Sequence, residues 1–203
     1  MRLKMTTLFS RLICILLLGN TFLFSPSAGA DEGALPAEMF SAIILKALNY
    51  DRNIDRVAKD KVVIGIVYLA DDSQAQNFFS PVKDYITSIQ SSATLKDKPV
   101  QIMTFPIQKG FDKAKFQDQL KQNNISVLVV AVNDAASVNS ILELTKSLQI
   151  SSICGDPQCA QSGIGLEIIK RDDKPKMVIN MDSVKQEGAD YNSKFLSMCE
   201  VVK

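Results

Sequence analysis

The chain is 203 residues long, with 23 basic and 22 acidic side chains, 46% apolar residues and no histidine. Near-neutral charge supplies no basic excess for a phosphate backbone, which sets nucleic-acid binding aside. Without imidazole there is no Ser-His-Asp or Cys-His nucleophile, no HExxH zinc site and no histidine acid–base chemistry, and no carboxylate or lysine pair stands out in its place.

The first thirty residues read as a removable export signal. Arg2, Lys4 and Arg11 make a positive start with no acidic residue. An apolar run over residues 12–24 follows, interrupted only by Gly19, Asn20 and Thr21. The small residues Ser25-Pro26-Ser27-Ala28-Gly29-Ala30 then end in an A-x-A cleavage site. The run is short for a membrane span, and no later stretch reaches the roughly eighteen apolar residues a span requires. Cleavage after Ala30 makes Asp31 the mature N-terminus; an uncleaved anchor is the competing reading. Residues 1–30 hold three basic residues, so the remaining 173 carry 20 basic and 22 acidic side chains, a formal net charge of −2. That length suits one domain, residues 31–203, burying roughly 70% of its unfolded surface.

Ala37–Tyr50 places Met39, Phe40, Ile43, Ile44, Ala47 and Leu48 at helical spacing, with Pro36 suited to the first turn. Val62–Leu69 is a continuous apolar run rich in β-branched residues, which predicts a strand covered on both faces. Asp71-Asp72-Ser73 offers N-cap chemistry for a helix whose stripe runs through Ala75, Phe78, Phe79, Val82, Ile86 and Ile89. Pro81 is expected to kink that helix or break it near Ser80. Residues 99–105 predict a second strand, and a helix opens at Asp112, passes Phe116 and Leu120, and closes at Asn123-Asn124. Residues 125–132 form the clearest buried strand. Asn133-Asp134 cap a helix with Val138, Ile141, Leu142, Thr145 and Leu148 on its buried side, and residues 150–153 add a short fourth strand.

Three strand–helix steps of this length imply right-handed crossovers and a mostly parallel, doubly wound sheet between two helical layers, an α/β three-layer sandwich. Residues 163–170 and 176–180 then predict a C-terminal β-hairpin about a turn at 171–175. A short helix over 182–187 stops at Gly188. Residues 192–202 begin as helix without a clear ending.

Cys154 and Cys159 flank a Gly-Asp-Pro turn. Outside the cytoplasm so close a pair favours a local disulfide, structural or redox-sensitive; a metal site would need two more ligands, from Cys199 or carboxylates. Cys199 is left as a buried apolar residue. Gly163-Ile164-Gly165 lacks the third glycine and the strand-to-helix setting of a dinucleotide fingerprint, and reads as close backbone approach in an edge strand. No cofactor or metal is expected. The polar block at residues 49–56, with Tyr50, Asp51 and Arg52, is either a solvated helix end with local ion pairs or a partner-facing patch. Asp71-Asp72 and Asn133-Asp134 lie where open α/β sheets hold ligands, and serve equally as N-caps.

Three segments together resemble the YfiR-like family of periplasmic proteins. They are Phe40-Ser-Ala-Ile-Ile-Leu-Lys46-Ala-Leu-Asn-Tyr50 with Val62-Val-Ile-Gly-Ile-Val67; the Cys154–Cys159 loop; and Ile179-Asn180-Met-Asp-Ser-Val-Lys-Gln-Glu-Gly188 followed by Ser193-Lys-Phe195-Leu196. The likeness covers most of residues 35–202. It implies an α/β sandwich and a non-enzymatic periplasmic role, since the family's best-understood type restrains a membrane-bound diguanylate cyclase by binding its periplasmic sensing part. Cys154 and Cys159 look like the family's cysteine pair that keeps the domain folded, and the resemblance implies that oxidation state modulates binding. The family's Trp-Pro after the first helix is replaced here by Tyr50-Asp51-Arg52. The expected partner is an inner-membrane diguanylate cyclase, in cyclic-di-GMP signalling, or a sensor kinase, met at the Tyr50, Asp51 and Arg52 surface. A homodimer is left open. The alternative is a periplasmic solute-binding protein, because a parallel sheet with capped strand ends resembles one lobe of a solute receptor.

Overall fold

The computed structural model describes residues 33–90 and 92–202; the export segment expected at residues 1–30 lies outside them. The apolar runs form the middle of the sheet. In β1 (Val62–Leu69), Val62, Ile64 and Ile66 enter one core and Val63, Val67 and Leu69 the other. β4 (Val127–Ala131) divides in the same way, Val127, Val129 and Ala131 against Leu128 and Val130. A strand covered on both faces has no solvent side to mark with polar residues, hence the unbroken runs. The first core is closed by α1 (Ala37–Tyr50), α3 (Ser73–Ile89), α6 (Met181–Gln186) and α7 (Ser193–Leu196). The second is closed by α4 (Lys113–Gln122) and α5 (Ala135–Leu148). The molecule is the three-layer α/β sandwich that the alternation of elements predicts.

Among the described residues the sheet has eight strands, in the order β2 (Thr94–Leu95), β3 (Lys98–Ile107), β1, β4, β5 (Ser151–Cys154), β6 (Leu166–Arg171), β7 (Lys174–Asn180) and β8 (Glu200–Val202). β2 with β3 and β6 with β7 are antiparallel; the other neighbours are parallel. The chain leaves β1 for β3 on one side, then crosses back to β4 on the other. The carboxyl ends of β1 and β4 therefore border the gap between oppositely directed crossovers, where open α/β sheets hold ligands.

Several boundaries differ from the sequence-based expectation. α3 runs through Pro81 without a break. Pro81 and Asn77 are both exposed, so the Asn77 carbonyl that loses its helical donor faces water, while Phe79, Val82 and Ile86 anchor the buried side. The β6–β7 turn is tighter than five residues: Arg171 pairs with Lys174, and Asp172 and Asp173 take φ of 51° and 58°. Two adjacent left-handed residues are what a type I′ hairpin needs. Lys96 and Asp97 (φ 49° and 64°) do the same between β2 and β3, a hairpin hidden in the sequence because neither turn carries the usual glycine. Gly163 and Gly165 precede β6, and β6 lies inside the sheet, so they are not in an edge strand. The tail, after α7, adds β8 in parallel along β7. A short helix, α2 (Ile54–Val57), falls inside the polar block after α1. Among the described residues no helix is long and apolar enough to cross a membrane.

Candidate functional site

β5 ends at Cys154, and the loop over residues 155–165 returns the chain to β6. The structure joins Cys154 to Cys159 in a disulfide, with Cα atoms 6.6 Å apart. The loop is pinned at further points. The Ala160 N–H donates to Glu167 Oε2 at 3.0 Å, and Asn180 Nδ2 donates to the Ala160 carbonyl at 2.9 Å. Gly155 packs so tightly that a Cβ there would stand 3.1 Å from the Phe40 ring. Closing so small a ring stabilises by about 2 kcal/mol. Cys159→Ser is therefore expected to lower the unfolding free energy by about 2 kcal/mol in oxidising buffer, measured by urea denaturation, and to match the reduced parent protein.

That loop forms one wall of a crevice at the carboxyl ends of β1, β4 and β5. A cavity of about 320 Å³ lies between the loop and the first turn of α5, lined by Val132, Val138, Gln158 and Ile164 among others. A second, of about 230 Å³, reaches toward α3 and is lined by Asp72, Phe78 and Phe79. Asn133 and Asp156 line both. Asp72 caps α3, its Oδ1 accepting from the Gln74 and Ala75 N–H groups at 3.0 Å. Asp134 caps α5, its Oδ2 accepting from the Ser137 N–H at 2.9 Å and the Ser137 hydroxyl at 2.7 Å, which holds its carboxyl below the usual range. Capping and crevice lining are thus combined in Asp72. Desolvation raises the Asp156 carboxyl above its ordinary value, and the nearby Asp72 charge adds to the effect.

Behind the loop lies Glu187, 1% exposed at the end of α6. Its Oε1 accepts from the Thr145 and Ser152 hydroxyls at 2.8 and 2.6 Å, and its Oε2 from the Ser152 N–H at 2.9 Å. The Ser152 hydroxyl in turn accepts from the Gly165 N–H at 2.8 Å. Burial pushes the carboxyl up to about 7, against the pull of these donors and of Lys146. A Cβ on Gly165 would fall 2.7 Å from Glu187 Oε2 and 3.2 Å from the Ser152 carbonyl. Gly165→Ala is accordingly expected to cost roughly 1–3 kcal/mol by overpacking, read as a lowered urea midpoint.

The polar block after α1 is a clasp on the C-terminal segment. The Asp51 carboxylate is buried and its Oδ1 accepts from the N–H groups of Asn53 and Asp190, both at 2.9 Å. The Asn192 N–H donates to the Tyr50 carbonyl, and the Arg52 N–H to the Asp190 carbonyl. Asn53 Nδ2 and Arg56 donate to the Gly188 carbonyl at 3.0 and 2.7 Å. Arg52 also pairs with Asp190 at 3.4 Å, both side chains about half exposed. Tyr50 is half-buried and stacks on Phe195, ring centroids 5.7 Å apart. Of the three surface candidates, then, Arg52 is exposed, Tyr50 partly so, and Asp51 is turned inward.

A sequence model of the YfiR/HmsC-like family matches residues 38–200, from the first turn of α1 into β8. The chain belongs to the YfiR/HmsC-like family. All three segments that carry the resemblance fall within the match. Among solved structures, the chain is similar to a conserved domain protein from Vibrio cholerae O1 biovar El Tor, with 14% identity and a TM-score of 0.55 over 83% of this chain and 60% of that one. It is also similar to the ABC domain in complex with L-Trp from Streptococcus pneumonia, at 13% and 0.56 over 82% and 60%. A third is a substrate-binding protein with adhesive properties from Clostridium difficile in its ligand-free, open form, at 15% and 0.52 over 74% and 57%. At these identities the likeness is one of fold, and the chain spans about 60% of the length of these structures. No curated protein matches the chain.

Within this family member, the structure brings the cysteine loop, Asp72 and Asn133 to one crevice and leaves Tyr50, Asp51 and Arg52 at a separate place. Sequence reasoning missed Asp156 and Glu187. Asp156 sits in the Cys-Gly-Asp-Pro-Gln-Cys stretch, where a turn accounts for an aspartate. Glu187 precedes a helix-ending glycine, where a glutamate is ordinarily solvated. Cys199 is half-buried rather than buried. Its thiol lies 3.4 Å from the Phe195 carbonyl, and burial pushes it up to about 11.

Proposed function

We propose that this protein is an exported, non-enzymatic regulator that binds the periplasmic part of a membrane signalling protein, a diguanylate cyclase or a sensor kinase, and modulates it. Membership of the YfiR/HmsC-like family over residues 38–200 carries the reading. The N-terminal export pattern, with cleavage after Ala30, and the absence of histidine support it. The proposed contact is the domain edge that bears Arg52 and the outer part of Tyr50, with the Cys154–Cys159 disulfide, at a separate place, acting through the stability of the fold. The test is a photo-crosslinker at position 52 in cells of the native host. A cross-link to an inner-membrane protein with a cytoplasmic cyclase or kinase domain is expected. Recovery of no such protein under both oxidising and reducing conditions overturns the proposal.

A second reading, a periplasmic solute-binding protein, is favoured by one observation: the crevice lies at the carboxyl ends of parallel strands, at the topological switch point. The chain supplies a single α/β lobe for it.

A further inference from the structure

We infer that the crevice at the carboxyl ends of β1, β4 and β5 binds a small amphipathic amine, with its ammonium group between Asp72 and Asp156 and its apolar part against Val132, Val138 and Ile164. The inference deepens the solute-binding reading, on which it rests, and is independent of the regulator proposal.

Space and place come first. The adjoining cavities of about 320 and 230 Å³ share Asn133 and Asp156, and the larger falls within the range of small-molecule sites. The walls are held in shape before any ligand arrives. The disulfide closes the loop, the Ala160 backbone is bonded at both its N–H and its carbonyl, and Gly155 lies on Phe40 and Phe78. That last contact sets the next residue, Asp156, beside the α3 end where Asp72 stands.

Charge then selects the ligand. Among the described residues, the charged ones lining the two cavities are Asp72 and Asp156, and no lysine or arginine lines either. Asp72 uses Oδ1 for its cap, which leaves Oδ2 for a ligand. Asp156 makes no hydrogen bond or ion pair within the described residues. Two carboxylates that repel one another in a partly desolvated wall gain most from a cation placed between them. A bare divalent cation lacks the ligands it needs, because no group of three or more carboxylate or thiol side chains gathers among the described residues. An anionic ligand would meet like charge. The remaining wall, made of valines, an isoleucine and the phenylalanines of α3, suits a hydrocarbon or aromatic body.

The test is calorimetric titration of the purified protein with phenethylamine and hexylamine, alongside phenylpropionate, which carries a carboxylate in place of the ammonium, and the isosteric hexanol. The amines are expected to bind saturably, and the acid and alcohol to bind far more weakly. Asp156→Asn and Asp72→Asn should each weaken amine binding by about tenfold or more. Asp72→Asn keeps an N-cap acceptor, and Asp156 has no partner to lose among the described residues, so both variants should fold as the parent does, checked by circular dichroism. If phenylpropionate or hexanol binds as tightly as the amines, or if Asp156→Asn leaves amine binding unchanged, the amine assignment is overturned and the solute reading stands. No saturable binding by any of the four probes overturns both.

Discussion

Raising the pH from about 4.5 to 7 is expected to lower the unfolding free energy, with Glu187 contributing on the order of 3 kcal/mol of that loss. The folded protein holds this proton up to about 7, whereas a glutamate in the unfolded chain releases it near 4.5. Between those values the native state binds more protons than the unfolded state, so each rise in pH favours unfolding. The stability is complete below the unfolded value and is lost as the pH climbs through the folded one. The neutral form has a place for its proton. Thr145 Oγ1 lies 3.1 Å from the Leu142 carbonyl and can donate there while accepting from a protonated Glu187. The chain has no histidine to mask the effect in this window. Asp156, also pushed up, adds slope of the same sign, so the identifying experiment is a difference. Urea denaturation across the pH range should show a shallower slope for Glu187→Gln than for the parent. An unchanged slope would show that Glu187 does not hold this proton.

Much of the scaffold was legible in the chain because its signals are local. Unbroken apolar runs at β1 and β4 require cover on both faces, and Asp72, Asp112 and Asp134 cap helices where their side chains reach the nearest free N–H groups. The illegible parts depend on contacts between distant segments. Nothing near Glu187 in sequence announces that Thr145 and Ser152 will enclose it, 42 and 35 residues away. The tail strand β8 is three residues long, and its pairing with β7 is decided by the position of α7. Gly165 does allow close approach, but what approaches is the Glu187 carboxylate just after α6 as well as the neighbouring Ser152 backbone. The crevice belongs to the same class: its residues come from α3, the end of β4, α5 and the cysteine loop, and they meet only once the sheet order is set.

Asp51→Ala is expected to destabilise the protein by about 3 kcal/mol, because it removes the charged acceptor of two partly buried hydrogen bonds, from the N–H groups of Asn53 and Asp190. Asp51 is 2% exposed, so water cannot replace its carboxylate without opening the clasp. The loss should propagate along the neighbouring backbone, where Asp51 bridges Tyr191 and the Tyr50 carbonyl holds Asn192. Phe195, which stacks on both Tyr50 and Tyr191, ties the same segment to the first core. Asp51→Asn keeps an oxygen acceptor and should cost roughly a third as much, whereas Arg52→Ala removes only an exposed ion pair worth under about 1 kcal/mol. Urea denaturation of the three variants, with hydrogen exchange at Asp190 and Asn192, separates these effects. Equal stability of Asp51→Ala and the parent would mean that the carboxylate does not hold the clasp. The ordering also governs how the proposed partner edge is probed. A loss of partner binding in Asp51→Ala would follow from release of the C-terminal segment, whereas the same loss in Arg52→Glu, with the clasp intact by hydrogen exchange, would report contact at the surface itself.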